Sequence, residues 1–204
     1  MEKLTGKYGL PLEVQFCKKC TMNNQRPSST VEFKQKADEK KRTLIFGADG
    51  ICEACRYAEQ KKSINWDDRH KELEELCNRF RRSDGRYDVV VPGSGGKDSV
   101  QAAHILKYKY NMNPILITWP PALYTDIGRR NFDAWLDAGF ANYTYNQNKK
   151  LHRFLTKNAF LNLGHPFQPF ILGQKNLAPR LSVLLDIPLV VFGENEAEYG
   201  NAIA

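Results

Sequence analysis

Hydrophobic and polar positions follow two different periodic patterns along the chain, and the pattern changes near residue 87. Between residues 66 and 82, apolar side chains recur every three or four positions, which predicts a helix. From residue 88 on, short continuous apolar runs alternate with amphipathic segments. Continuous apolar runs are typical of buried parallel strands, and alternating strands and helices indicate a doubly wound α/β domain with a parallel sheet.

The second pattern predicts a series of alternating strands and helices. We expect strands at 88–93, 113–121, 141–146 and 187–195, and helices after residue 96 and at 126–140, 151–164 and 172–187. Pro179 falls inside the last helix, which it is expected to kink or to start. Ligands of parallel sheets bind beyond the carboxyl ends of the strands, so the residues directly after each strand are candidate site residues.

The predicted domain organisation has three parts. Residues 1–65 contain paired cysteines around a polar insert, residues 66–86 form a connecting helix that ends in a turn signal, and residues 87–204 form the α/β domain. The chain stops soon after its last predicted strand. We therefore expect the α/β domain to be incomplete at its C-terminus.

Composition and charge limit the class of protein. No apolar run approaches the roughly 18 residues of a membrane span, and the first 14 residues lack the apolar stretch of a secretory signal, which favours a cytoplasmic location. The net charge of +7 arises mostly in residues 1–86, which carry 19 lysines and arginines against 14 acids. The basic runs at 34–42 and 79–82 are typical of solvated surfaces; the alternatives are contacts with RNA or with an acidic partner or substrate.

Four of the five cysteines form two Cys-x-x-Cys pairs, Cys17 with Cys20 and Cys52 with Cys55, with 31 residues between the pairs. Four thiolates match a tetrahedral structural zinc site, because no position is left open for a substrate. An iron–sulfur cluster and unrelated thiols are the alternatives. Cys77 lies among apolar positions of the predicted helix and is expected to be a buried thiol.

A glycine-rich loop, residues 93–99, stands between the first strand and the following helix. A Walker A loop would need glycine at Val91 and serine or threonine at Asp98, and the Rossmann pattern would need glycine at Asp98. Both patterns fail. Backbone N–H groups at a helix N-terminus still favour an anion at this position, so the sequence predicts a phosphate site of another kind.

The loop resembles the Ser-Gly-Gly-x-Asp-Ser loop of the PP-loop ATP pyrophosphatase superfamily, which has an adenine-nucleotide α-hydrolase-like fold. The matching residues are Ser94, Gly95, Gly96, Lys97, Asp98 and Ser99. The resemblance implies that the loop cradles the β,γ-pyrophosphate of ATP, which is cleaved between its α and β phosphates. The Ser94 and Ser99 hydroxyls are expected to donate to phosphate oxygens. Lys97 is expected to neutralise the departing pyrophosphate, and Asp98 to hold Mg²⁺.

Longer stretches resemble one branch, the N-acetyl sugar amidotransferase family of lipopolysaccharide and flagellin-glycan biosynthesis. They are residues 117–140, 152–181 and 192–201, and the cysteine pairs belong to the same pattern. The resemblance implies that ATP adenylates the amide oxygen of an acetamido sugar, that ammonia replaces this oxygen, and that AMP and pyrophosphate leave. The product is an acetamidino sugar. The ammonia is implied to come from a separate pair of glutaminase and cyclase-like subunits.

Several further residues are candidates at this site. Trp119 is expected to contact the adenine of ATP. Lys175 is expected to neutralise the α-phosphate, with a solvated helix lysine as the alternative. Glu194 is a candidate catalytic acid, in a segment expected to bind Mg²⁺ or sugar hydroxyls unless it is an ordinary polar loop. The candidate substrate residues are Tyr124, Gln174, Asn195, Glu198 and Tyr199.

Two alternatives of other classes remain. A tRNA thiolase or a lysidine-type tRNA synthetase uses the same loop, although a thiolase needs a redox-active cysteine near the site and no cysteine follows Cys77. A non-catalytic zinc-knuckle module would bind RNA with a strong salt dependence. The intact loop argues against that module, so nucleic acid is not the expected partner.

Overall fold

The computed structural model describes residues 9–27 and 42–194. They form two compact units, one ending at Asp67 and the other covering Asp68–Glu194. Most of the basic run at 34–42 lies outside the described residues, and so do the candidate residues Asn195, Glu198 and Tyr199. Within the described ranges, none of the helices has the length and apolar character required to cross a membrane.

The smaller unit consists of turns closed by single antiparallel bridges and one helix. The bridges join Phe16 to Asn23, Pro27 to Thr43 and Phe46 to Cys52. Helix α1 (Glu53–Lys62) follows, with Cys52 at its N-cap. The sequence did not predict α1, because its ten residues include no large aliphatic side chain from which a helical period could be read.

The larger unit contains a sheet of four parallel strands. They are β1 (Val89–Pro92), β2 (Pro114–Thr118), β3 (Asn142–Thr144) and β4 (Leu189–Val190), in the order β3-β2-β1-β4. Strand β1 is central, and its three valines are completely buried. The predicted α/β class with a parallel sheet is confirmed. Since the strand order reverses at β1, the switch point lies between the carboxyl ends of β1 and β4.

Helices cover both faces of the sheet. They are α2 (Trp66–Phe80), α3 (Lys97–His104), α4 (Asp126–Asp137), α5 (Lys149–Leu163) and α6 (Gln168–Leu184), and α3 continues as a π-helical turn over Ile105–Lys109. Ala103 of α3 and Trp135 of α4 join the cluster of Val89 and Val91 on one face. On the other face, helix α6 packs Leu177, Ala178 and Leu181 against Val90 and Ile117.

Several element boundaries differ from the prediction. Helix α6 begins at Gln168, so Pro179 lies inside it and does not start it. Strand β2 ends at Thr118, because the prolines at 120 and 121 carry no N–H for a further ladder hydrogen bond. The edge strands β3 and β4 have only three and two residues.

Asp88 fixes the amino-terminal edge of the sheet. Its side chain is 1% exposed and accepts hydrogen bonds from the backbone N–H groups of Arg82 (3.2 Å) and Asn113 (2.7 Å). The N–H of Asp88 donates to the Asn113 carbonyl at 3.1 Å. A buried carboxylate is tolerated only when it is hydrogen-bonded. Asp88 therefore joins the segment after α2 to the starts of β1 and β2.

Replacing Asp88 with alanine leaves two backbone donors without their acceptor. We expect Asp88→Ala to lower the free energy of unfolding by about 2–3 kcal/mol, measured by urea denaturation with the fluorescence of the buried Trp135 as a signal. Asp88→Asn retains one acceptor oxygen and should lose less. A change below about 0.5 kcal/mol for Asp88→Ala, the size of an ordinary surface substitution, would contradict this role.

Candidate metal centre and candidate nucleotide site

Four cysteine sulfurs converge in the smaller unit. The Sγ atoms of Cys17, Cys20, Cys52 and Cys55 all lie within 4.8 Å of one another. The Cys17 and Cys55 sulfurs are 4.0 Å apart, and the Cys20 and Cys52 sulfurs 3.7 Å. A tetrahedral site with Zn–S bonds of about 2.3 Å has sulfur–sulfur edges of about 3.8 Å. The four thiols therefore fit one zinc ion, and their separations are far longer than a disulfide bond.

Backbone turns bring the two cysteine pairs together. The N–H of Cys17 donates to the Met22 carbonyl at 2.8 Å, which closes the first turn. Gly50 has φ +78°, a conformation that favours glycine, and it reverses the chain before Cys52. The N–H of Lys18 donates to the Gly50 carbonyl at 3.1 Å and so joins the two turns.

The thiols differ in how readily they ionise. Burial disfavours the Cys17 thiolate, but backbone N–H groups of Cys52 and Lys19, each 3.3 Å from the sulfur, help lower the pKa of Cys17 from 9.0 to about 6. A hydrogen bond with the Cys20 side chain contributes most to raising the pKa of Cys55 to about 12, and burial adds to this shift. Burial also raises the pKa of Cys52. The Cys17 thiolate therefore forms easily, whereas the thiolates of Cys52 and Cys55 need a bound cation.

The metal centre predicts the zinc content of the protein. We expect one zinc ion per chain and a colourless protein, and we expect Cys52→Ser to lose most of the metal. Cys77→Ala is the matched control, because Cys77 is a fully buried thiol of the larger unit. Elemental analysis of purified protein measures both. A brown protein that contains iron, or full zinc retention by Cys52→Ser, would contradict the assignment.

In the larger unit, the glycine-rich loop lies at the switch point of the sheet. Residues 93–96 connect β1 to α3, and the Gly93 N–H donates to the Ile117 carbonyl of β2 at 3.0 Å. Gly96 is the N-cap of α3, and no side chain caps the helix there. The cap residue therefore offers no side-chain acceptor to the N–H groups of the first turn of α3. Together with the helix dipole, they make this end of α3 suited to an anion.

Three glycines shape the loop in different ways. Gly95 has φ +92°, and a Cβ atom there would lie 2.8 Å from the backbone of Phe132 in α4. Gly193, which follows β4, lies so close to Asp98 that a Cβ atom would be 2.6 Å from the Asp98 carbonyl carbon. At Gly96, by contrast, a Cβ atom would meet nothing within 4 Å. The loop is thus held from two sides and open at Gly96.

The charged side chains of the loop pair with each other. The Lys97 ammonium lies 2.7 and 2.8 Å from the two carboxylate oxygens of Asp98. The Lys97 side chain is 89% exposed and that of Asp98 38%, so a ligand from solvent can reach both. The Ser99 hydroxyl donates to the Gly96 carbonyl at 3.0 Å, and Ser94 is half-buried. The six predicted loop residues, Ser94 to Ser99, thus surround one helix end.

A hydrogen-bonded chain that the sequence did not reveal fixes the start of the loop. The buried Thr118 hydroxyl donates to the Gly93 carbonyl at 2.7 Å, and the Asn142 amide donates to Thr118 Oγ1 at 2.8 Å. The Thr144 hydroxyl donates to Asn142 Oδ1 at 2.5 Å. This series of hydrogen bonds joins the carboxyl ends of β1, β2 and β3. The sequence signal for these hydrogen bonds would have been Thr118, a polar residue at the end of an apolar strand.

The remaining predicted site residues lie after strands β2 and β4 and on helix α6. Tyr124 is near the loop, since its ring lies 5.9 Å from that of Phe132, whose backbone contacts Gly95. Burial raises the pKa of the Tyr124 hydroxyl. Trp119 stacks on Tyr145, with ring centroids 5.2 Å apart and an angle of 14°. Gln174, Lys175 and Glu194 are exposed, the first two on α6 and the last directly after Gly193.

Comparisons with known proteins identify a partial relative. No family model matches the chain. An uncharacterized protein of the archaeon Methanocaldococcus jannaschii is 32% identical over 77 residues. The match covers 38% of this chain and 27% of that protein, little more than a quarter of its length. Because the relative is itself uncharacterized, any functional conclusion rests on the site.

The glycines of the loop provide a matched pair of variants. Gly95→Ala adds a Cβ atom at positive φ against the Phe132 backbone and is expected to lower the free energy of unfolding by about 2 kcal/mol or more. Gly96→Ala adds its Cβ atom to open space at φ −69°, and since alanine is a poorer N-cap than glycine it is expected to cost up to about 1 kcal/mol. Chemical denaturation compares the two. Equal effects would contradict the loop geometry.

Proposed function

We propose that the larger unit is an ATP pyrophosphatase of the PP-loop type, and that the protein is an ATP-dependent amidotransferase. Its reaction converts the acetamido group of a bacterial surface-glycan sugar to an acetamidino group. The observation that carries the proposal is the position of residues 94–99, which surround the uncapped N-terminus of α3 at the switch point of the sheet. Phosphates bind at such helix ends in parallel α/β proteins.

The loop residues suit pyrophosphate in particular. The open side of Gly96 allows a phosphate to approach the first N–H groups of α3. Lys97 then exchanges its contact with Asp98 for the phosphate oxygens, which frees the carboxylate. Asp98 would hold Mg²⁺, which when bound shields the charge of neighbouring phosphates. An acid at this position fits release of magnesium pyrophosphate better than transfer of a single phosphoryl group.

The chemistry of the proposed reaction explains why ATP is needed. An amide oxygen is a poor leaving group, so the oxygen first attacks the α-phosphorus and pyrophosphate departs. Ammonia, supplied by separate glutaminase and cyclase-like subunits, then adds to the imidate carbon. The carbon–oxygen bond breaks, and AMP leaves with the former amide oxygen. The protein contributes by positioning the reactants and by neutralising charge at Lys97 and, as proposed, Lys175.

The metal centre has a separate part in this proposal. Four thiolates close the coordination sphere of a zinc ion, so the ion would stabilise the smaller unit and take no part in the reaction. ATP, Mg²⁺ and Zn²⁺ are thus the proposed nucleotide and metal requirements, and of these three only ATP is consumed, together with the sugar and ammonia.

Pyrophosphate release with different acceptors tests the proposed function. The full-length protein is incubated with ATP, Mg²⁺, ammonium and either a panel of acetamido sugars or total tRNA. We expect an acetamido sugar, and not tRNA, to stimulate both pyrophosphate release and ATP–pyrophosphate exchange. Asp98→Asn is expected to lower kcat roughly 100-fold or more, with an unchanged thermal midpoint.

The matched control is Asp133→Asn, since Asp133 is a partly exposed aspartate of α4 that pairs with Arg129. Its activity should equal that of the unmodified protein. Full activity of Asp98→Asn would contradict the role of the loop. Stimulation by tRNA and by none of the sugars would identify RNA, not a sugar, as the substrate.

A further inference from the structure

A buried threonine of β2 holds the first backbone carbonyl after β1. The last residue pair between these strands is Pro92 with Ile117, and Gly93 follows directly. The Gly93 carbonyl accepts a hydrogen bond from the Thr118 hydroxyl at 2.7 Å. Thr118 is completely buried, so loss of this bond would leave a buried polar group unsatisfied. The hydroxyl thus fixes the direction in which the Gly93 carbonyl points.

The direction of this carbonyl also fixes the direction of the next N–H group. The Gly93 carbonyl and the Ser94 N–H belong to one trans, planar peptide unit, so the two groups point in opposite directions. Strand β2 lies on one side of β1, and β4 lies on the other. Since the carbonyl points toward β2, the Ser94 N–H points toward the side of β4, where the switch point of the sheet lies.

Packing alone does not select this orientation of the peptide. A Cβ atom at Gly93 would lie 2.5 Å from Ser99 Cβ and 2.9 Å from Trp135 Cη2, so the position of Gly93 is confined. A glycine nevertheless permits more than one orientation of the peptide that follows it, because it has no side chain to restrict its dihedral angles. The Thr118 hydroxyl is the group that selects one of them.

Two further side chains fix the direction of the Thr118 hydroxyl. The Asn142 amide donates to Thr118 Oγ1 at 2.8 Å, which leaves the proton of the hydroxyl for the Gly93 carbonyl. The Thr144 hydroxyl donates to Asn142 Oδ1 at 2.5 Å, so the nitrogen end of the amide faces Thr118. Hydrogen bonds in such a series strengthen one another. Donation therefore runs from β3 through β2 to the start of the loop.

The Ser94 N–H is a donor without an acceptor in the fold. Among the residues that the structure describes, none accepts a hydrogen bond from this group. Ser94 is also the first of the six loop residues that surround the start of α3. A loop N–H that precedes a helix N-terminus and points toward the switch point is suited to a phosphate oxygen.

We propose that Thr118 is a positioning residue for the phosphates of ATP. Its hydroxyl orients the peptide between Gly93 and Ser94 so that the Ser94 N–H donates to the β,γ-pyrophosphate. Thr118 acts through this peptide and does not itself touch the nucleotide. This inference rests on the proposed function, which assigns the pyrophosphate to residues 94–99.

Binding of inorganic pyrophosphate to the full-length protein tests the role of Thr118. The affinity is measured by titration calorimetry in the presence of Mg²⁺. Thr118→Val retains the branched shape of the side chain without the hydroxyl, and it is expected to weaken pyrophosphate binding about tenfold, the loss of one hydrogen bond to a charged group. Thr118→Ser restores the hydroxyl and should therefore restore the affinity.

Matched variants separate loss of orientation from loss of stability. Asp88→Asn weakens the amino-terminal end of the same strand and should bind pyrophosphate as the unmodified protein does. Asn142→Ala leaves the Thr118 hydroxyl its acceptor but removes the group that orients it, so we expect a weakening of about threefold. Its control is Asn113→Ala, which removes an amide at the amino-terminal end of β2. The asparagine pair decides the question if Thr118→Val does not fold.

The Ser94 N–H reports the proposed contact directly. In NMR spectra of protein labelled with ¹⁵N-serine, pyrophosphate should move the Ser94 amide proton downfield in the unmodified protein and much less in Thr118→Val. A change in stability alone would not remove this shift. A Ser94 resonance that pyrophosphate does not move would overturn the inference, and so would equal affinities of Thr118→Val and the unmodified protein.

Failure of this inference is distinguishable from failure of the proposed function. Pyrophosphate binding that is lost in Lys97→Ala but unchanged in Thr118→Val would sustain the loop and refute the role of Thr118. Binding that depends on Thr118 without sugar-stimulated pyrophosphate release would sustain that role and refute the proposed reaction. A protein that does not bind pyrophosphate would refute both.

Discussion

The candidate nucleotide site depends on the close approach of three backbone segments at the carboxyl edge of the sheet. Gly95 lies against the backbone of Phe132, and Gly193 lies against the backbone of Asp98 and Ser99. Neither approach leaves room for a side chain. The first turn of α3 is thereby held between helix α4 and the end of β4, while Gly96 remains open. Phosphate binding by N–H groups requires this combination of fixed position and free access.

The interior of the larger unit supports that arrangement. The buried valines of β1 pack against helices on both faces of the sheet, so the strand has little freedom to shift. Asp88 fixes the strand at its start, and Thr118 holds the carbonyl of Gly93 at its end. The polar groups thus act at the two ends of a strand whose middle is apolar. The smaller unit has few buried apolar residues among those described, and a metal ion held by its four thiols would supply the stabilisation that such a core otherwise provides.

The sequence predicted the features that depend on residue type, or on the spacing of hydrophobic residues, within a short segment. Strands β1 and β2 are continuous apolar runs, and two Cys-x-x-Cys pairs identify four thiols that could hold a metal ion, whatever the path of the chain between them. Contacts between distant residues could not be predicted in this way. The bond from Asn142 to Thr118 exists because the register of β2 and β3 pairs Leu116 with Asn142. The approach of Gly193 to Asp98 likewise requires that β4 lie beside β1.

A crystal structure of the full-length protein with Mg²⁺ and an ATP analogue that cannot be cleaved between its α and β phosphates tests the central claim most directly. The account predicts that the β and γ phosphates accept hydrogen bonds from backbone N–H groups at the start of α3, beside Gly96, with the metal ion at Asp98. An analogue whose β and γ phosphates do not contact residues 94–99 would contradict it.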